Sequence, residues 1–168
     1  HHRASLAVDR ELAARRPDDA EIRRDLGTDL SRLGVDFAKL GQLDEARAQH
    51  RAATVLRESL LVLEPRDARA LEDAAESRLE SGRALARLGR REEGIAEVAI
   101  AIDRYRLLSE LDPGNARWQD VLAGAWTTLA ALEQERGRRD AASAALDQAL
   151  AVRRRLAEQS PSFAGNLD

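Results

Sequence analysis

From Asp19 to Leu40 the large apolar residues are Ile22, Leu26, Leu30, Leu33, Phe37 and Leu40, separated by 4, 4, 3, 4 and 3 positions. That spacing keeps them on one stripe of a 3.6-residue helix and predicts an α-helix of about 20 residues, roughly 30 Å long. Asp19 is placed to cap its first turn and Gly41 to end its last. Asp44 and Glu45 then open a second helix with negative charge near the positive end of its dipole. This second helix carries Ala46, Ala53, Leu56, Leu60 and Leu63, and it stops before Pro65 because proline disfavours helical geometry at Glu64. Gly34, Ala46 and Ala53 leave room for close approach, so the pair reads as a helical hairpin.

The same pattern returns along the chain. All four prolines, Pro17, Pro65, Pro113 and Pro161, stand 48 residues apart, as do Gly41, Gly89 and Gly137, the leucines 12, 60, 108 and 156, and the alanines 20, 68, 116 and 164. Self-similarity at a fixed period marks a repeat array. Counted from the prolines, residues 1–16 are the second helix of a truncated repeat, 17–64, 65–112 and 113–160 are three full repeats, and 161–168 is the stub of a further one. His2-Arg3-Ala4 aligns with His50-Arg51-Ala52, and there is no methionine, so the chain is expected to be part of a longer protein. Leu6 and Leu12 are expected to pack on the helix after Pro17. Asp67 and Asn115 take the capping position of Asp19, whereas Phe163 falls there in the stub, which is expected to fray. No stretch shows useful strand-like alternation, and about seven helices are expected in all.

The repeats are unequal. In the second, the first helix is poor in large apolar residues before Leu85, and Glu72, Asp73, Glu76, Ser77, Arg78, Glu80 and Ser81 crowd that stretch. The third restores bulk with Trp118, Leu122, Trp126, Leu129 and Leu132. Trp118 and Trp126 are expected to serve the core rather than a ligand cage. Arg78 and Glu133 fall where the pattern wants core residues, and a buried charge is costly without a partner. Both are expected to reach solvent through a local shift, with Leu79 and Leu132 filling the space.

Composition narrows the function. The net charge is −3, with acids and bases interleaved, so no strong positive field exists for nucleic acid. Lys39 is the only lysine among 27 basic residues, a bias that reads as a GC-rich genome and solvated helix faces. No run approaches the roughly 20 apolar residues of a membrane span. Cysteine is absent, which removes disulfides and thiolate metal sites and gives no sign of an oxidising compartment; a cytoplasmic location is expected. His50 stands on a helix face where bulk is usual, and His1 and His2 are terminal, so no metal triad is formed. Gly89 to Gly94 lacks the Lys-Ser/Thr of a phosphate loop. No catalytic residue, metal or cofactor is expected.

Leu30, Leu33, Gly34, Phe37, Gly41, Ala46, His50 and Ala53 together resemble the tetratricopeptide repeat signature, as do Trp126, Leu129, Ala130, Gly137, Ala142, Leu146 and Ala149 in the third repeat. The second repeat departs from it at Arg78, Ser81 and Gly94. A family repeat has about 34 residues, so this one is about 14 longer, and its closing proline comes seven positions later than Glu58, Arg106 or Arg154. Asp112 to Asp120 is similar to the long repeats of bacterial multidomain signalling proteins, which sit beside caspase-like peptidase, signal-transduction NTPase or serine/threonine kinase domains.

The resemblance implies an all-α solenoid of antiparallel helical hairpins wound into a right-handed superhelix, with the first helix of each repeat lining a concave surface that receives a peptide or partner domain. By position, that surface comprises Ser31, Val35 and Lys39, then Leu79, Arg83 and Arg87, then Thr127, Ala131 and Gln134. The carboxylate clamp of chaperone-tail-binding relatives is absent, since its positions hold Ser31, Val35, Glu80, Gly124 and Thr128. A non-enzymatic protein-interaction module is therefore expected, with a spacer or self-association element as the alternative. Leu146, Leu150 and Leu156 await a covering helix, so end-to-end self-association is expected if none is supplied.

Overall fold

The computed structural model describes residues 2–16, 18–63 and 65–159. Among the described residues seven α-helices follow one another: α1 His2–Arg15, α2 Ala20–Lys39, α3 Leu43–Leu63, α4 Ala68–Arg87, α5 Arg91–Leu111, α6 Ala116–Glu135 and α7 Arg139–Gln159. There is no strand among the described residues. Helices α2, α4 and α6 begin at 20, 68 and 116, and α3, α5 and α7 begin at 43, 91 and 139, so every start recurs after 48 residues. Phe163 and the 161–168 stub lie outside the described residues, as does the side chain of Leu6.

The punctuation is local chemistry repeated three times. Asp19 accepts hydrogen bonds from the backbone N–H of Glu21 and Ile22, Asp67 from those of Arg69 and Ala70, and Asn115 from that of Trp118. At the other end Gly41, Gly89 and Gly137 hold φ at 75°, 78° and 76°, a left-handed conformation that costs glycine least. The next residue reaches back in each case: Gln42 N–H donates to Phe37 O, Arg90 N–H to Leu85 O and Arg138 N–H to Glu133 O, all at 2.9 Å. This is the Schellman closure. It sets the same tight turn into α3, α5 and α7.

Each helix packs chiefly on the next in sequence, pairing α2 with α3, α4 with α5 and α6 with α7 as antiparallel hairpins, with smaller contacts joining one hairpin to the next. One core cluster holds Leu26, Leu30, Leu33 and Ala53, with Phe37, Leu56 and Ala13 of α1 against it. A larger one runs from Leu71 and Ala75 through Val98, Ile102, Tyr105 and Leu108 to Leu122, Ala125 and Val152. Leu12 is half-buried. Between the first hairpin and α4, Leu61 packs against the larger cluster and Arg57, 3% exposed, donates to Asp73 O and to Ser77 Oγ.

Small residues decide how closely the hairpins close. A Cβ on Gly82 would stand 2.7 Å from the Gly94 carbonyl oxygen, and a Cβ on Gly94 2.7 Å from that of Gly82. The departure of Gly94 from the alanine usual in the resembled signature is thus matched across the hairpin. In the first hairpin Gly34 instead receives the ring of His50, which is 2% exposed.

Arg78 and Glu133 do not escape to solvent as expected. Arg78 stays half-buried between two carboxylates, Glu58 at 3.0 Å and Glu97 at 2.9 Å. Burial opposes its charge, but hydrogen bonds to Glu97 and Glu58 outweigh that and raise its pKa. Glu133 is buried with Arg136 at 3.6 Å. Leu79 and Leu132 do fill the core beside them.

Two predictions follow from this packing. Gly82→Ala and Gly94→Ala each drive a methyl into backbone and should cost about 1–3 kcal/mol, despite alanine's better helix propensity. Gly124→Ala, in α6 with nothing within 4 Å of the added carbon, should stabilise by about 0.5–1 kcal/mol. Urea unfolding of the three variants checks the opposite signs.

Burial holds the His50 pKa below 6.5, with Glu80 opposing and Arg57 assisting. As the pH falls below 6.5 the unfolded chain binds a proton that folded His50 refuses, so stability drops until the folded imidazole itself protonates. Asp73, raised by burial against the pull of Arg57, acts in the opposite sense nearer 3.8. His50→Leu should remove an acid-side slope of up to about 1.4 kcal/mol per pH unit, read from urea midpoints on either side of pH 6.5.

Candidate functional site

The first helices α2, α4 and α6 carry every residue expected on the recognition face. Val35 and Lys39 on α2, Arg87 on α4, and Thr127, Ala131 and Gln134 on α6 are exposed. None belongs to the buried core. Ser31 is half-buried, and its hydroxyl has no hydrogen-bond partner among the described residues. The Thr127 hydroxyl donates to Ala123 O within its own helix at 2.9 Å.

Two members differ from expectation. Leu79 is 8% exposed and lies in the larger core cluster, so it is not available to a partner. With Arg78 drawn to Glu58 and Glu97, Leu79 adds its bulk to that of Leu71 and Leu85 on the buried side of α4. Arg83 is partly spent on its neighbours, with Glu80 at 2.6 Å and the Thr128 hydroxyl of α6 at 3.1 Å. It joins two first helices, and the free basic residues of this face are Lys39 and Arg87.

Similar polar links tie successive repeats together. Arg24 pairs with Asp67 at 2.8 Å and Arg69 with Glu21 at 3.4 Å. Glu72 receives Arg117 and, at 3.2 Å, the indole N–H of Trp118. Glu58 takes Arg104 at 2.6 Å. Arg91 meets Glu135 at 3.0 Å and Arg136 meets Glu92 at 3.2 Å. Both tryptophans pack against the core, and the Arg106 guanidinium lies 4.8 Å from the Trp126 ring centroid.

A second surface lay outside the sequence reading. A groove of about 640 Å³ opens between the second helices α3 and α5, with α4 as its floor. Arg47, Arg51 and Val55 of α3 form one wall, Glu93 and Glu97 of α5 the other, and Arg78, Ser81 and Leu85 the base. The Arg90 hydrogen bond holds the Glu93 carboxyl below the usual carboxylate range, and the field of Arg47 adds to it. A comparable groove of about 520 Å³ lies between α5 and α7, lined by Trp126, Arg106, Leu122 and Val152 among others. The signal for the first groove was present in the repeat: positions 47 and 51 hold arginine, whereas their equivalents are Ile95 and Ala99, then Ser143 and Asp147.

Among the described residues, no group of three or more His, Cys, Asp or Glu side chains is placed to hold a metal ion. No helix among the described residues is long and apolar enough to cross a membrane.

Residues 122–161 match the sequence family described as tetratricopeptide repeat. No curated protein matches the chain. Among solved structures the chain is similar to a crystal structure of MamA, with 16% identity over 91% of this chain and 89% of that one and a TM-score of 0.34. It is similar also to the MamA RS-1 ArsTM double mutant, with 16% identity over 89% and 95% and a TM-score of 0.32. The match to the tetratricopeptide repeat family thus falls on the α6–α7 hairpin, and the described residues form an all-α, tetratricopeptide-like array of seven helices.

Proposed function

We propose that this array is a non-enzymatic protein-interaction module whose partner, a peptide or a folded domain, lies across the exposed faces of α2, α4 and α6. One observation carries the reading: three successive first helices present side chains that packing does not use, Val35 and Lys39, then Arg87, then Ala131 and Gln134. A rigid row of this kind binds without reorganising its backbone, which lowers the entropic cost of association. The match to the tetratricopeptide repeat family supports an interaction scaffold. The finer reading, a module of a larger cytoplasmic signalling protein, rests on the resemblance of the long repeat to those of bacterial signalling proteins.

A second reading has its own observation. Leu146 and Leu150 on α7 are 44% and 48% exposed, whereas their equivalents Val98 and Ile102 on α5 are buried. An apolar face of this kind suits an array that continues or self-associates, serving as a spacer for attached domains.

The test is affinity capture from source-cell lysate with quantitative mass spectrometry. The triple variant Val35→Glu/Arg87→Glu/Ala131→Glu places one charge change on each first helix at exposed positions, and it should lose a specific partner by about tenfold or more while helicity is kept. An identical catch from both proteins, with Leu146→Glu/Leu150→Glu instead changing the sedimentation coefficient, would replace this reading with the spacer.

A further inference from the structure

We infer that the groove between α3 and α5 is a second recognition site, independent of the first-helix face, for an acidic peptide segment whose carboxylates meet Arg47 and Arg51. Charge complementarity selects the occupant. Every carboxylate lining the groove is already matched: Glu58 by Arg78 and Arg104, Glu97 by Arg78, and Glu93 by Arg90. Arg47 and Arg51 have no ion-pair partner within 4 Å among the described residues. The groove is thus left with surplus positive charge on one wall.

The two arginines are four residues apart on α3, so their stems lie on one helix face, about 5–6 Å apart at Cβ. Planar guanidinium forks at that separation suit two carboxylates on one segment. Val55, a further turn along and 63% exposed, offers an apolar contact beside them. The floor is fixed, because Arg78 is held to both walls through Glu58 on α3 and Glu97 on α5. A partner would meet a preformed site. The fold does not require this arrangement, since the equivalent positions in the later repeats carry Ile95, Ala99, Ser143 and Asp147.

A displayed library of random heptapeptides tests the proposal, selected on the full chain and then probed by fluorescence anisotropy with the synthetic winners. Sequences rich in paired Asp or Glu should be enriched. Their affinity should fall about tenfold or more with Arg47→Glu/Arg51→Glu, and also on raising salt from about 50 mM to about 500 mM. The first-helix variant Val35→Glu/Arg87→Glu/Ala131→Glu should bind them unchanged, which separates this site from the surface proposed above. Circular dichroism and the urea midpoint of the arginine variant should match the parent, since neither side chain is buried. No enrichment of acidic residues, or winners indifferent to the arginine substitutions, would overturn the proposal. Winners lost only with the first-helix variant would overturn it too, while supporting the other surface.

Discussion

The structure depends on how closely the two helices of a hairpin can approach after a left-handed glycine has turned the chain. Gly41, Gly89 and Gly137 fix the turn, and a small residue in the following crossing fixes the distance. Where both helices offer glycine, as at Gly82 and Gly94, backbone meets backbone. Where one side is larger, the other yields: His50 occupies the space that Gly34 leaves. With turn and crossing repeated along the chain, the helix boundaries recur every 48 residues, and the array stacks each hairpin mainly on its neighbours.

Cohesion between hairpins has a different character. The apolar core continues across them at Leu71, Leu108 and Leu122, but much of the remaining contact is charged, with Arg24, Arg69, Arg104 and Arg117 each reaching an acid in an adjoining repeat. Pairs as exposed as Arg69 with Glu21 contribute little stability individually. Their consequence is registration: an acid on one helix and a base about one period later favour a single stacking of successive repeats. Arg57 is the deepest of these cations, and one of its Nη nitrogens donates to a carbonyl and a hydroxyl rather than to a carboxylate. Burying it commits the junction of α3 and α4 to one arrangement, because any slip would leave the cation unpaired in the interior.

Helix boundaries were legible in the sequence because caps, turns and stripes are local. Asp19, Asp67 and Asn115 cap as their positions require, and the leucine and alanine spacing locates the buried stripe. The fate of Arg78 was not legible. Its partners Glu58 and Glu97 lie 20 and 19 residues away on two different helices, so no single helix face displays the triad. Leu79 was given two places by the sequence, in the space beside Arg78 and on the outer row by repeat spacing, and the structure keeps only the first. The groove on the second-helix side left only a partial signal, arginine at 47 and 51 where the later repeats have Ile95, Ala99, Ser143 and Asp147, because the gap between α3 and α5 itself has no residue pattern.

Comparing equivalent positions separates residues the fold compels from residues it merely permits. Glu58 and Arg78 form an ion pair; one period later their places are taken by Arg106 and Trp126, which form a cation–π contact. The chemistry changes, but both members change together and the contact survives. Packing therefore constrains the pair rather than either residue. Arg47 and Arg51 follow no such rule, since their equivalents Ile95 and Ala99 bring no matching exchange and neither arginine has an ion pair to preserve. In a repeat array each unit is a control for the next. A pair of arginines that the two later full repeats lack, and that has no ion pair within 4 Å among the described residues, is not one that packing compels, and this is the ground for proposing a ligand on the groove it lines.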